Sequence, residues 1–179
     1  MSYISELLQD YTCDHSSFEE TRDYISMSYA SLPKEEILRL FKETQKPDDL
    51  SLLRCYKGYQ MEKDLKDRIF QVFHERVIDK PEIVAHEGLV KGHPDFRFDG
   101  FPADCKTVPL DDHLPIEKKV SRKIYCQMQA YMLYDNKEKA LVIYESRETG
   151  RIFDLWLREN KVIQAEIEEK YRWVVNQLK

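Results

Sequence analysis

The sequence predicts an α/β fold, with a mixed central sheet flanked by helices and a helical N-terminal extension. Three observations carry this. Residues from about 50 to 78 repeat their apolar side chains every three or four positions, the period of a helix. From residue 82 the period becomes two, that of strands. A second strand-like stretch, Ala140 to Tyr144 and Ile152 to Leu157, lies between two further helical segments. Helices, three strands, a helix, two strands and a helix is the order of an α/β domain.

Residues 2–10 and 17–30 read as helices rich in Tyr and Ser. Ser31 is placed to cap the next helix, with Pro33 in its first turn; that helix runs to Gln45 and stops before Pro47. The helix over 50–78 carries Leu65, Ile69, Val72, Phe73 and Val77 on its apolar side, and Pro81 ends it. Strands are expected at 82–87, 89–98 and 102–108, with Asp99-Gly100 as the hairpin turn between the last two. A polar loop with prolines, 109–115, leads into a helix at 116–134 whose buried stripe is Val120, Ile124, Met128 and Met132. Strands at 140–144 and 152–157, joined through Glu148-Thr149-Gly150, precede a final helix over 160–177. Residues 1–50 form the extension and 51–179 the core, one compact domain overall.

A chain of 179 residues, 42% hydrophobic and 12% aromatic, has material for one core. Five glycines point to regular elements rather than long loops. No run of about 18 apolar residues exists, so no membrane span is expected. Met1-Ser2-Tyr3-Ile4-Ser5-Glu6 lacks the basic, then apolar, pattern of a secretory signal, so a cytoplasmic location is predicted. Cysteines at 13, 55, 105 and 126 form no C-x-x-C pair, which argues against zinc or an iron–sulfur cluster and for free thiols. With a net charge of −5, any nucleic-acid contact must come from locally concentrated basic residues. The densest such cluster is Lys118, Lys119, Arg122 and Lys123, against the single acid Glu117.

The chemistry concentrates in Gly92-His93-Pro94-Asp95, followed nine residues later by Asp104-Cys105-Lys106. On a strand, residues two apart share a face, so Asp104 and Lys106 project together and Cys105 projects oppositely. A turn at Asp99-Gly100 puts Asp95 opposite the Asp104 region, where cross-strand Cβ atoms lie roughly 4.5–5.5 Å apart. Two carboxylates that close repel, and a divalent cation removes the conflict. Gln127 and Tyr131, four apart, share one face of the following helix, which Lys123 and then Lys119 continue a turn and two turns earlier. Glu62, near the start of the long helix, is placed to point at the site from a second layer. Taken singly, these are strand-edge charges, an amphipathic boundary, a surface glutamate and a solvated basic face. In this order they point to a metal site beside a phosphate-binding patch.

The set resembles the PD-(D/E)XK nuclease superfamily, and within it the RecB-like branch that includes the exonucleases of CRISPR adaptation. Gly58 to Glu62 is similar to that branch's G-x-x-x-E element, Gly92 to Asp95 to G-x-x-D, Asp104-Cys105-Lys106 to D/E-x-K, and Gln127 to Tyr131 to Q-x-x-x-Y. The match covers residues 58–131, and the strand–helix pattern extends it to about 157. The resemblance implies a restriction-endonuclease-like core and a metal-dependent deoxyribonuclease acting on DNA in repair, recombination, or phage or defence DNA processing. It implies Asp95, Asp104 and the Cys105 backbone carbonyl as ligands of Mg²⁺ or Mn²⁺, with Glu62 and His93 as further ligands. It implies Lys106 as the group acting on the attacking water or the phosphorus, and Gln127 and Tyr131 as positioning residues. No cysteine follows Cys126, so the iron–sulfur cluster of many CRISPR-associated relatives is not expected. A catalytically inactive DNA-binding or assembly module of this fold and a Holliday-junction resolvase-type endonuclease are the alternatives. A homo-oligomer or a place in a larger nucleic-acid-processing complex is compatible with each of these readings.

Overall fold

The computed structural model describes residues 23–43, 49–79, 81–108 and 120–179, with the helical backbone alone over 49–58. The elements in chain order are β1 (Ile25–Ser26), a 3₁₀ turn (Met27–Tyr29), α1 (Lys34–Lys42), α2 (Asp49–Phe73), a second 3₁₀ turn (His74–Arg76) and β2 (Val77–Asp79). There follow β3 (Ile83–Ala85), β4 (Val90–Gly92), β5 (Phe96–Phe98), β6 (Phe101–Val108), α3 (Arg122–Tyr134), β7 (Lys139–Ser146), β8 (Ile152–Arg158) and α4 (Lys161–Asn176).

The larger sheet has the order β2-β5-β6-β7-β8. Its central pair, β6 and β7, is parallel, and the other pairs are antiparallel. A parallel pair needs a crossover, which α3 supplies. On one face Phe96, Ala103, Cys105, Leu141 and Ile143 pack under Leu65 and Ile69 of α2. On the other, Val142, Tyr144, Leu155 and Leu157 join Met128 and Met132 of α3 and Ile167, Tyr171 and Val174 of α4. Ile25, Met27, Ala30 and Ile37 enter this second layer. Tyr171 Oη donates to the Ser26 and Met27 carbonyls at 3.2 and 3.1 Å, tying the start of the described chain to α4.

The α/β class and the flanked mixed sheet are present, with several departures in detail. The sequence predicts one sheet, but β1, β4 and β3 form a second, three-stranded one. The expected strand 89–98 divides between the two sheets, because Pro94 has no N–H for a ladder and the chain leaves the small sheet after Gly92. The strand at 82–87 ends at Ala85, since His86 and Glu87 have positive φ. The described part of the helix expected at 17–30 is β1 and a 3₁₀ turn capped by the Ser26 hydroxyl. The cap position of α1 is Pro33 rather than Ser31, and it carries no side-chain bond. The helix expected to reach 78 stops at Phe73, and Val77 and Ile78 pair with Phe98 and Arg97 instead. Val72, expected inside, is 69% exposed. Val120 precedes α3, whose cap is Ser121. The helix at 2–10 and the loop at 109–115 lie outside the described residues.

Candidate active site

The site exists because β5 is short. Its last paired residue, Phe96, faces Ala103, while β6 continues to Val108. Beyond Ala103 the edge of β6 that faced β5 has no strand beside it among the described residues. Amides at positions two apart on a strand point to the same side, and buried edge amides must find acceptors. Carboxylates provide them. Cys105 N–H donates to Asp95 Oδ2 at 2.6 Å, and the Thr107 amide lies close enough to Glu62 of α2 to favour its ionised form. The N–H and C=O of one extended residue share a side, so the Cys105 carbonyl also faces this edge.

Asp104 and Lys106 rise from β6 on the α3 side, beside Val142 and Tyr144 in register. Asp104 is 3% exposed. Lys106 Nζ lies 2.5 Å from its Oδ2, yet that oxygen has no aligned hydrogen bond. Gln127 Nε2 donates to Tyr131 Oη at 2.8 Å within the buried part of α3. The Tyr131 ring lies against Gly92, where an added Cβ would stand 2.6 Å from Tyr131 Cε1 and 2.5 Å from Met27 Sδ. The motif glycine is therefore required by close approach, and Gly92→Ala should overpack the site. About 1–3 kcal/mol of stability should be lost, read as a fall in thermal midpoint; an unchanged midpoint would show that the contact relaxes freely.

Three carboxylates face one ammonium. Burial, then the Asp104 charge, pushes Asp95 up to about 7, against relief from Lys106 and the Cys105 amide. Burial also raises Glu62. Burial alone would lower Lys106, but Asp104, Glu62 and Asp95 outweigh it and hold the ammonium above its usual range. Burial raises the Tyr131 and Tyr144 phenols, the latter to about 12, and the Asp104 charge adds to both. The Asp95 shift has a stability consequence. Its folded value lies above the ordinary 3.8, so between about pH 4 and 7 the folded state holds a proton that the unfolded state has released. In EDTA, stability should fall as pH rises through that window and level off above it. Thermal midpoints at pH 5 and pH 8 should show a drop that Asp95→Asn reduces, with raised Glu62 supplying part of the remainder; an identical drop in that variant would assign it elsewhere.

Among the described residues no three His, Cys, Asp or Glu side chains close into a metal cage. The site instead offers two mutually repelling carboxylates, Asp95 and Asp104, a backbone carbonyl and the Glu62 carboxylate. All are hard oxygen donors, and the open arrangement fits a cation that keeps several waters. The structure thus brings Asp95, Asp104, Lys106, Glu62, Gln127 and Tyr131 together. His93 is exposed, with its ring edge against Tyr24. Arg122 and Lys123 are exposed in the first turn of α3; Lys118 and Lys119 lie outside the described residues. The sequence reading missed Thr107 and Tyr144. Strand parity from Cys105 points to the Thr107 amide, whereas Tyr144 is hidden in a continuous apolar run.

No family model matches the sequence, and no curated protein matches it. Solved structures do. An alkaline exonuclease (LHK-Exo) from Laribacter hongkongensis aligns with a TM-score of 0.67 at 16% identity, over 91% of this chain and 92% of that one. The same exonuclease in complex with dAMP aligns at 0.64 and 16%, over 92% of each chain. A phage-related exonuclease from Haemophilus somnus 129PT aligns at 0.61 and 13%, over 87% of this chain and 94% of that one. With a mixed sheet centred on β6 and an acidic pair at its open edge, the chain has the fold of these exonucleases, that of the PD-(D/E)XK nucleases.

Proposed function

We propose that this protein is a metal-dependent deoxyribonuclease that hydrolyses phosphodiester bonds, a cytoplasmic RecB-like exonuclease of DNA repair, recombination, or phage or defence DNA processing. The observation that carries the reading is the convergence of three carboxylates, Asp95, Asp104 and Glu62, on the single ammonium of Lys106 at the edge of β6. The neighbouring exonucleases, one of them holding dAMP, support a nucleotide-chain substrate. No described helix is long and apolar enough to cross a membrane.

Asp95, Asp104 and the Cys105 carbonyl would hold Mg²⁺ or Mn²⁺, with Glu62 assisting. Such a cation lowers the pKa of bound water and offsets charge on the scissile phosphate. The chain's own groups do the rest. Lys106, kept protonated by its carboxylate neighbours, acts as a donor: it orients water or stabilises negative charge on a phosphate oxygen. Gln127 gives its amide proton to Tyr131, which fixes the ring against Gly92 and leaves the Gln127 carbonyl oxygen to align Lys106 or water. Lys118, Lys119, Arg122 and Lys123 attract the phosphate backbone.

The test is incubation with end-labelled linear and covalently closed circular DNA in Mn²⁺, with Lys106→Ala and EDTA as controls. Degradation of linear DNA alone supports the exonuclease. Cutting of circles supports the resolvase-type alternative. Binding without cleavage of either overturns the enzyme reading in favour of an assembly module.

A further inference from the structure

We infer that Arg147, in the turn after β7, is a phosphate-gripping residue that sets the DNA beside the acidic edge; the inference rests on the nuclease reading above. Its backbone N–H donates to the Val108 carbonyl at 2.8 Å, which staples the turn to the end of the strand that carries Asp104 and Lys106. Its guanidinium donates twice to the Thr107 hydroxyl, from Nε at 3.1 Å and Nη2 at 2.9 Å. Thr107 directly follows Lys106 on β6, so it stands about 3–4 Å further along the strand, with its side chain on the opposite face, the Cys105 face that α2 covers. The Arg147 charge also favours the ionised form of the Glu62 carboxylate, so the guanidinium lies within electrostatic range of that member of the acidic group.

What the guanidinium does not do is equally informative. Arg39, Arg68, Arg76, Arg97 and Arg172 each pair with a carboxylate. Arg147, like Arg122, Arg151 and Arg158, has no carboxylate ion pair among the described residues, but it alone of these four is anchored by its guanidinium to the hydroxyl of a residue next to Lys106. Thr107 occupies two of its five N–H donors, and Nη1 has no partner among the described residues. The residue is exposed, and its backbone already secures the turn, so the side chain is not needed for folding. An anchored planar fork with free donors, next to carboxylates that would otherwise repel a polyanion, is the arrangement that selects a phosphate oxygen.

Two measurements test this. The first is cleavage kinetics of the full chain, and the second is DNA binding by Lys106→Ala protein across a salt series. Arg147→Ala should raise KM about tenfold, with kcat within about twofold, and reduce the salt slope by about 0.9 for duplex DNA. Thr107→Val frees the guanidinium but keeps its charge, so KM should rise with little change in slope. Arg147→Lys should restore the slope. Arg39→Ala, a charge removed elsewhere, should leave both unchanged. An unchanged KM and slope in Arg147→Ala, or the same loss in Arg39→Ala, overturns the inference. If the wild-type chain cleaves no DNA, the nuclease reading falls, and the binding slope still decides Arg147 alone. If Arg147→Ala proves unfolded by circular dichroism, Thr107→Val decides: a raised KM supports the grip and an unchanged one overturns it.

Discussion

Lys106→Ala and Asp104→Asn should each lower kcat for Mg²⁺- or Mn²⁺-dependent DNA cleavage by about 10²–10³-fold or more, yet move the stability of the metal-free protein in opposite directions. Lys106 is the cation facing Asp104, Glu62 and Asp95. Its removal leaves a buried Asp104 without a counter-ion, a loss worth about 3–5 kcal/mol for fully buried pairs. The low end applies, because the Lys106 side chain is 27% exposed. At about 2–4 °C per kcal/mol for a chain of this size, the thermal midpoint should fall by about 6–12 °C. Asp104→Asn instead removes one of three like charges and leaves Lys106 its other two carboxylates, so the midpoint should hold or rise. Full activity in Lys106→Ala would sink the assignment. Equal destabilisation in both variants would mean that the pair serves packing and not chemistry.

Asp135→Ala should be the most damaging change outside the site. Arg97 and Asp135 form a two-pronged ion pair, with Nη2 to Oδ1 at 2.6 Å and side chains 18% and 14% exposed. Asp135 also closes α3, its N–H donating to the Tyr131 carbonyl. The pair therefore links β5, two residues after Asp95, to the helix that carries Gln127 and Tyr131. Its loss should cost about 3 kcal/mol and, by loosening the two halves of the site, lower kcat about tenfold. Calorimetry and steady-state kinetics on one preparation check both. A fall in stability with unchanged kcat would show that the pair holds the fold without positioning the site.

The sequence was most legible where a local rule decided the structure. Asp99-Gly100 is a hairpin turn, both residues at positive φ. Parity places Asp104 and Lys106 on one face, and the helical repeat places Gln127 one turn before Tyr131. It was least legible where tertiary contacts overrode a local pattern. Val77 continues the helical spacing of Leu65 and Ile69, but Phe98 offers it a ladder and Arg76 forks onto Asp99, so the chain turns into β2. Ile25 and Met27 lie in a segment that reads as helix, yet Tyr171 captures its carbonyls. The Asp95 contact was legible only in outline: the hairpin brings it across from Asp104, but its bond is to the Cys105 amide, which no side-chain pattern reveals. Arg147 was invisible because its anchor is a threonine forty positions away.

The early end of β5 bears on solubility as well as on chemistry. A strand whose amides look outward is a template onto which another chain can add a strand. Asp95 occupies the Cys105 amide and Glu62 stands beside the Thr107 amide, so the carboxylates proposed to hold the cation also shield this edge from a neighbouring strand. Chemistry and monodispersity are then tied to the same side chains. A chain stripped of both acids should present a bare strand edge and self-associate, which size-exclusion chromatography would read as a shift to larger species.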